Sequence, residues 1–180
     1  NDFTVNNLAA ADQATDTPTN NFCTYNPLDT FQQPATFSEG NLQVVTAGSS
    51  SAPFSSTFGI TSGKWYWEIE YDAFDGGFNY PMIGISSTQA TTIHQELGNF
   101  ANDWAYWTND STPYLRNNNS DSSWGTAIVV GDVVGVALDC TNNELYFSRN
   151  GAWQQSGDPA AGSNGISITA TASTPKGAYF

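Results

Sequence analysis

The stretch Lys64-Trp65-Tyr66-Trp67-Glu68-Ile69-Glu70-Tyr71-Asp72 alternates in strict period two. Trp65, Trp67, Ile69 and Tyr71 fall on one face, and Tyr66, Glu68, Glu70 and Asp72 on the other. Side chains change sides at every residue of a strand, so this pattern predicts a half-buried β-strand and excludes a helix. The odd positions are expected to face a core, the even ones water or a groove. Asp75-Gly76-Gly77 then supplies turn chemistry.

The same reasoning extends outward. Asn41–Thr46, Pro81–Ser86 and residues 103–108 read as strands, the last with aromatics on alternate positions. Residues 91–98 form the one plausible helical turn, with Thr91 or Thr92 as cap and Gly98 as stop. Residues 109–123 read as a long polar loop. Val133–Asp139 is a buried strand after the Gly131-Asp132 turn, and Glu144–Ser148 alternates as its neighbour. Asn150-Gly151 predicts a type I′ hairpin, whose two central residues both need positive φ. Ala152–Gln154 returns, and Ile166–Ala172 is a last strand. The sum is an all-β, antiparallel domain, a sandwich of two sheets. Residues 1–40 are rich in Pro, Asn and Thr and read as an extended N-terminal arm, packed on the domain of residues 41–180 or on a neighbour.

Composition narrows function. The chain has 180 residues, 17 of them acidic and only 4 basic, for a formal net charge of -13. So few cations cannot neutralise a run of phosphates, which excludes nucleic acid as a partner. A polybasic membrane patch is excluded on the same ground. One His and two Cys are too few for a zinc site. No apolar run reaches the roughly 18 residues of a membrane span, so no membrane insertion is expected. Asn, Ser and Thr carry the polarity, as on extracellular or virion surfaces. The chain starts at Asn1 rather than Met, and is expected to be processed or part of a longer protein. Cys23 and Cys140 are either two buried thiols or a disulfide.

Four ordered segments resemble the SPRY (B30.2-like) domain: Ser62–Glu70, Ile83-Gly84-Ile85, Gly131–Asp139 and Asn143–Gly151. The resemblance implies a concanavalin-like β-sandwich that binds through loops at one end and has no shared catalytic apparatus. The stretch from Asp16 to Phe22 with Asn26-Pro27-Leu28 resembles SPRY-containing tail or fibre proteins of marine bacteriophages. The family pattern calls for one more strand after Phe180, from residues beyond it or a neighbouring chain.

On this basis the chain is expected to be a noncatalytic module of a virion, such as a tail, fibre or capsid-surface protein. It would recognise a host glycan or surface protein, associate with other virion subunits as a homo-oligomer, and need no cofactor or metal. Tyr106, Trp107, Tyr114, Arg116 and Asn117 are the candidate ligand-binding residues. Rings beside amides suit sugar faces as well as protein hot spots. Trp104 and Trp124 flank the same segment. Tyr114, Arg116 and Asn117 are expected to be the most exposed, and Arg116 to meet any anionic partner. Trp65, Trp67 and Phe147 are expected in the core.

Three rival readings remain. A decoration or assembly protein would use the arm as its interface. A glycan hydrolase would use Glu68, Glu70 and Asp72, since alternate strand residues stand about 6.5–7 Å apart, within the carboxylate spacing that glycoside hydrolysis uses. Tyr66 would be its aromatic wall. A calcium site would draw on Asp110, Asp121 and Asn117–Asn119, though turn chemistry accounts for Asp139, Asn142 and Asn143. His94 lacks the serine elbow of a hydrolase and reads as a surface residue. Asn109 and Asn118 begin formal glycosylation sequons.

Overall fold

The computed structural model describes residues 22–28, 35–46, 54–73, 80–87 and 96–168. The described strands are β1 (Ala35–Ser38), β2 (Gln43–Thr46), β3 (Lys64–Glu70), β4 (Met82–Ser86), β5 (Asp103–Asn109), β6 (Thr112–Asn117), β7 (Ser120–Ser123), β8 (Val133–Asp139), β9 (Glu144–Arg149), β10 (Ala152–Trp153) and β11 (Ile166–Ser167). Among the described residues a 3-10 turn covers Gln154–Ser156.

Every registered pairing is antiparallel. The first sheet runs β10-β9-β8-β3, and β11 shares the β9 edge with β10. The second sheet is the meander β4-β5-β6-β7. A separate hairpin joins β1 to β2. The core lies between the two sheets. Val134, Val136, Leu138, Leu145 and Phe147 point into it from the first, and Ile83, Ile85, Trp104 and Tyr106 from the second. Ile128 and Ile168 close it. Tyr106 and Trp124 both pack on the Phe147 ring, at 5.6 and 5.8 Å. Burial of such side chains contributes roughly 1.5–3 kcal/mol each.

β8 is the most buried strand of the first sheet because both its faces are covered. Val134, Val136 and Leu138 enter the core. Gly135 and Ala137 lie beneath Tyr66 and its neighbours on the other side. The expected sandwich, the β8–β9 pair and the Asn150-Gly151 hairpin are all present. Asn150 and Gly151 sit at φ 50 and 78, as a type I′ turn requires.

Several expectations need correction. The "polar loop" of residues 109–123 is β6 and β7 with their turns. Asn118 and Asn119 have φ of 51 and 56 and make a second type I′ turn. The stretch looks loop-like because β7 is an exposed edge strand of Ser and Asp, where nothing apolar has to be buried. Ala35–Ser38, inside the segment read as an extended arm, is a strand paired with β2 through a turn at positions 39–42. Trp65 is 43% exposed and not in the core. It stands near the start of β3, where its indole N–H donates to the Ser62 carbonyl at 2.7 Å and Phe58 packs edge-on. Trp67 packs against the core, and Phe147 lies within it.

Of the helical turn expected at 91–98, residues 91–95 lie outside the described residues, and 97–98 form a turn. The last strand is described only at Ile166–Ser167; residues 169–180 lie outside. Most of the arm, residues 1–21 and 29–34, lies outside as well. Among the described residues no helix is long and apolar enough to cross a membrane.

Candidate functional site

The register of the second sheet brings three of the five candidate residues to one face. Trp107 lies opposite Tyr114, and Arg116 opposite Ala105 and Asp121. The Trp107 and Tyr114 rings are 5.4 Å apart and tilted by 30°. The Arg116 guanidinium carbon lies 5.6 Å from the Trp107 ring centre, within cation–π range. Tyr80 extends the ring row, 6.2 Å from Trp107, and is itself 42% exposed. Sequence reasoning missed Tyr80, because nothing local links it to a tryptophan two strands' lengths later.

Arg116 is not the open cation expected. Its side chain is only 13% exposed. Nη2 donates to Asn99 Oδ1 at 3.1 Å and Asn119 Oδ1 at 2.7 Å. Glu96 and Asp121 form ion pairs with it at 3.1 and 3.5 Å. Asp121 also accepts the Trp107 indole N–H at 3.1 Å. Gly98, at φ +86, lies against the arginine stem; a Cβ there would come within 2.8 Å of Arg116 Cγ. In a chain so poor in cations, a planar guanidinium collects the nearby carboxylates and amides, because its five donors fit them in a fork. An anionic partner would have to displace these groups first.

Tyr106 faces the opposite way from Trp107 and is fully buried. It is a core residue, and its phenol donates to the Thr126 carbonyl. Burial pushes its pKa up. Asn117 ties the end of β6 to the preceding turn by donating to the carbonyls of Ala101 at 3.0 Å and Asp103 at 2.7 Å. Trp104 and Trp124 also serve the core rather than a ligand. The site therefore reduces to Trp107 and Arg116 as a rigid floor, with Tyr80, Tyr114, Asn119, Asp121 and Glu96 as its rim.

The β3 carboxylates stand on the outer face of the first sheet. Glu68 and Glu70 are exposed. Glu68 accepts a hydrogen bond from the Tyr66 phenol at 2.6 Å. Asp72 accepts one from Gln43 Nε2 at 3.0 Å. The oxygens expected of a calcium loop are dispersed: Asp121 serves Arg116 and Trp107, and the Asn118-Asn119 pair forms a hairpin turn. Among the described residues no group of three His, Cys, Asp or Glu side chains gathers to hold a metal ion.

Asp139 caps its turn, accepting the amides of Thr141 and Asn142 at 2.9 and 3.1 Å. Asn143, at φ 56, completes that turn. Cys23 and Cys140 are both free thiols, Cys23 exposed and Cys140 half-buried. His94 lies outside the described residues.

The SPRY domain family model matches residues 64–162, which is more than half of the chain. Among solved structures, the TRIM65 PSpry domain superposes with a TM-score of 0.57 at 17% identity, over 74% of this chain and 74% of that one. The SPRY domain of human HERC1 does so with a TM-score of 0.57 at 18% identity, over 73% of this chain and 78% of that one. At these identities the likeness speaks for the fold. No curated protein matches the sequence. SPRY domains are protein-binding modules, generally noncatalytic. With its two antiparallel sheets, its four ordered motifs and the family match, the chain belongs to the SPRY domain family.

Proposed function

We propose that the chain is a noncatalytic binding module of a virion or other extracellular surface, recognising a host glycan or surface protein through the rim around Trp107 and Arg116. The observation that carries this reading is the clamp on Arg116. Two carboxylates and two side-chain amides hold it against the Trp107 ring. Groups already fixed in place lose little freedom on binding, so more of each contact is realised as affinity. Half-exposed tyrosines beside amides and carboxylates suit protein hot spots and sugar faces alike. The scarcity of Lys and Arg agrees with a partner that is not anionic.

The test is a selection on the folded chain, using a glycan array and a displayed peptide library. Ligands retained by the wild type should lose about tenfold or more in affinity against Tyr80→Ala with Tyr114→Ala, the loss typical of a hot spot. Ligands that bind this folded double variant undiminished would place recognition elsewhere.

A structural role in assembly has its own supporting observation. Leu28, Leu42 and Val45 are 91%, 63% and 57% exposed. In this second reading residues 1–40 and the β1–β2 hairpin pack on a neighbouring subunit. Light scattering distinguishes it, since a strict monomer at all concentrations argues against assembly.

A further inference from the structure

We propose that the outer face of the first sheet is a second docking surface, built to hold a lysine or arginine side chain of a partner protein on the ring platform of Tyr66 and Trp153, beside Glu68. This surface belongs to the opposite sheet from the Trp107–Arg116 rim and does not depend on it.

The pairing register sets out the floor. Glu68 on β3 lies opposite Gly135 on β8, Gly135 opposite Ser148 on β9, and Ser148 opposite Trp153 on β10. The next row is Tyr66, Ala137 and Tyr146. The floor is low because the residues in its middle are Gly, Ala and Ser. A Cβ at position 135 would come within 2.4 Å of Ser148 Oγ and 2.7 Å of the Tyr66 phenol oxygen. Only glycine lets Tyr66 settle there. The Tyr66 ring therefore covers this floor and meets Trp153 edge-on, 6.1 Å apart at 66°, while Tyr146 backs Trp153 at 6.4 Å, so the rings form one continuous platform. Tyr146 is buried, while Tyr66 is 54% exposed.

Charge selects the occupant. Glu68 and Glu70 are exposed on this face, and Glu144 stands at its far end beside Tyr146. The cation of β3, Lys64, is ion-paired with Asp139 at 3.0 Å. Glu68 gives one oxygen to the Tyr66 phenol at 2.6 Å, and a carboxylate has further acceptor capacity. That bond also orients the ring. A carboxylate beside two aromatic rings attracts a cation twice, by Coulomb interaction and by the rings' negative faces. An acidic or neutral ligand gains neither.

The experiment titrates the whole chain with an oligolysine hexapeptide and follows backbone amide shifts. An oligoglutamate hexapeptide is the control. Saturable oligolysine binding is expected, with shifts concentrated around Tyr66, Glu68, Ser148 and Trp153. Glu68→Gln should weaken it about tenfold, the worth of one well-placed ion pair with its ring contact. Trp153→Ala should weaken it similarly, although it leaves the net charge unchanged. Glu39→Gln makes the same change of net charge in the β1–β2 turn and should leave binding as it was.

Glu68 is exposed, so Glu68→Gln keeps the fold and the test stands even where Trp153→Ala does not fold. The proposal is overturned if Glu39→Gln weakens binding as much as Glu68→Gln, if the shifts map to other faces, or if oligoglutamate binds equally well. Binding of glycans alone at these residues would also overturn it.

Discussion

Replacing Asp139 with Asn should cost about 2 kcal/mol of stability at neutral pH, and this cost should disappear in acid. Asp139 is only 5% exposed. Burial alone would raise its pKa, but the Lys64 ammonium and the amides of Asn142 and Thr141 outweigh burial and hold it at about 2, against an ordinary 3.8. Each unit of such a difference corresponds to about 1.4 kcal/mol, so the ionised form is favoured by roughly 2 kcal/mol in the fold.

The sign follows from a depressed folded pKa. The stabilisation is fully present above the unfolded value of 3.8 and is lost as pH falls through about 2. Urea midpoints for wild type and Asp139→Asn, compared at pH 7, 4 and 2, measure it with the denaturant slope checked for constancy. Asp132 is likewise held low, since its hydrogen bonds, chiefly from Arg149, outweigh burial, but it is common to both proteins and cancels. A gap that stays constant from pH 7 to 2 would refute the reasoning, as would no gap at pH 7.

Three further outcomes are expected. Phe147→Ala empties the place where Tyr106 and Trp124 meet, and should lower stability by about 3–5 kcal/mol in chemical denaturation. Gly151→Ala meets no atom within 4 Å but keeps a φ of +78, so its cost, about 1 kcal/mol by the same assay, is torsional alone. Arg116→Lys exchanges a five-donor fork for a point charge and cannot serve Glu96, Asp121, Asn99 and Asn119 together. The near-ultraviolet circular dichroism of Trp107 should change, with a loss of about 1–2 kcal/mol.

How far residues disclosed their places depended on what each place demanded. Val133–Asp139 and Lys64–Glu70 declared themselves, because a strand with a covered face must show the period of its burial. Asn150-Gly151 did so because a type I′ turn accepts few residues. β7 did not, since an edge strand of Ser and Asp buries nothing and its composition matches that of a loop. The Asn118-Asn119 turn was the available signal, being the same chemistry as Asn150-Gly151. The face shared by Trp107, Tyr114 and Arg116 follows from period two once β5 and β6 are known. Tyr106 was misjudged for the complementary reason: within a run of rings, which parity faces inward depends on the opposite sheet. Tyr80 and Glu96 reach the site from other segments, so no local pattern could have named them.

The pairing of β3 with β8 also has a kinetic consequence. Glu70 pairs with Val133, 63 positions later, whereas β8 and β9 are closed by Asp139 and Glu144, 5 positions apart. Closing the longer loop costs about 2 kcal/mol more in chain entropy. Every strand of the second sheet lies within that loop, and each pairs with its sequence neighbour. Forming that meander first shortens the free chain that β3 must close. The motif by which the fold is most readily recognised is therefore expected to join it late, docking on a sheet whose turns have already set its edge.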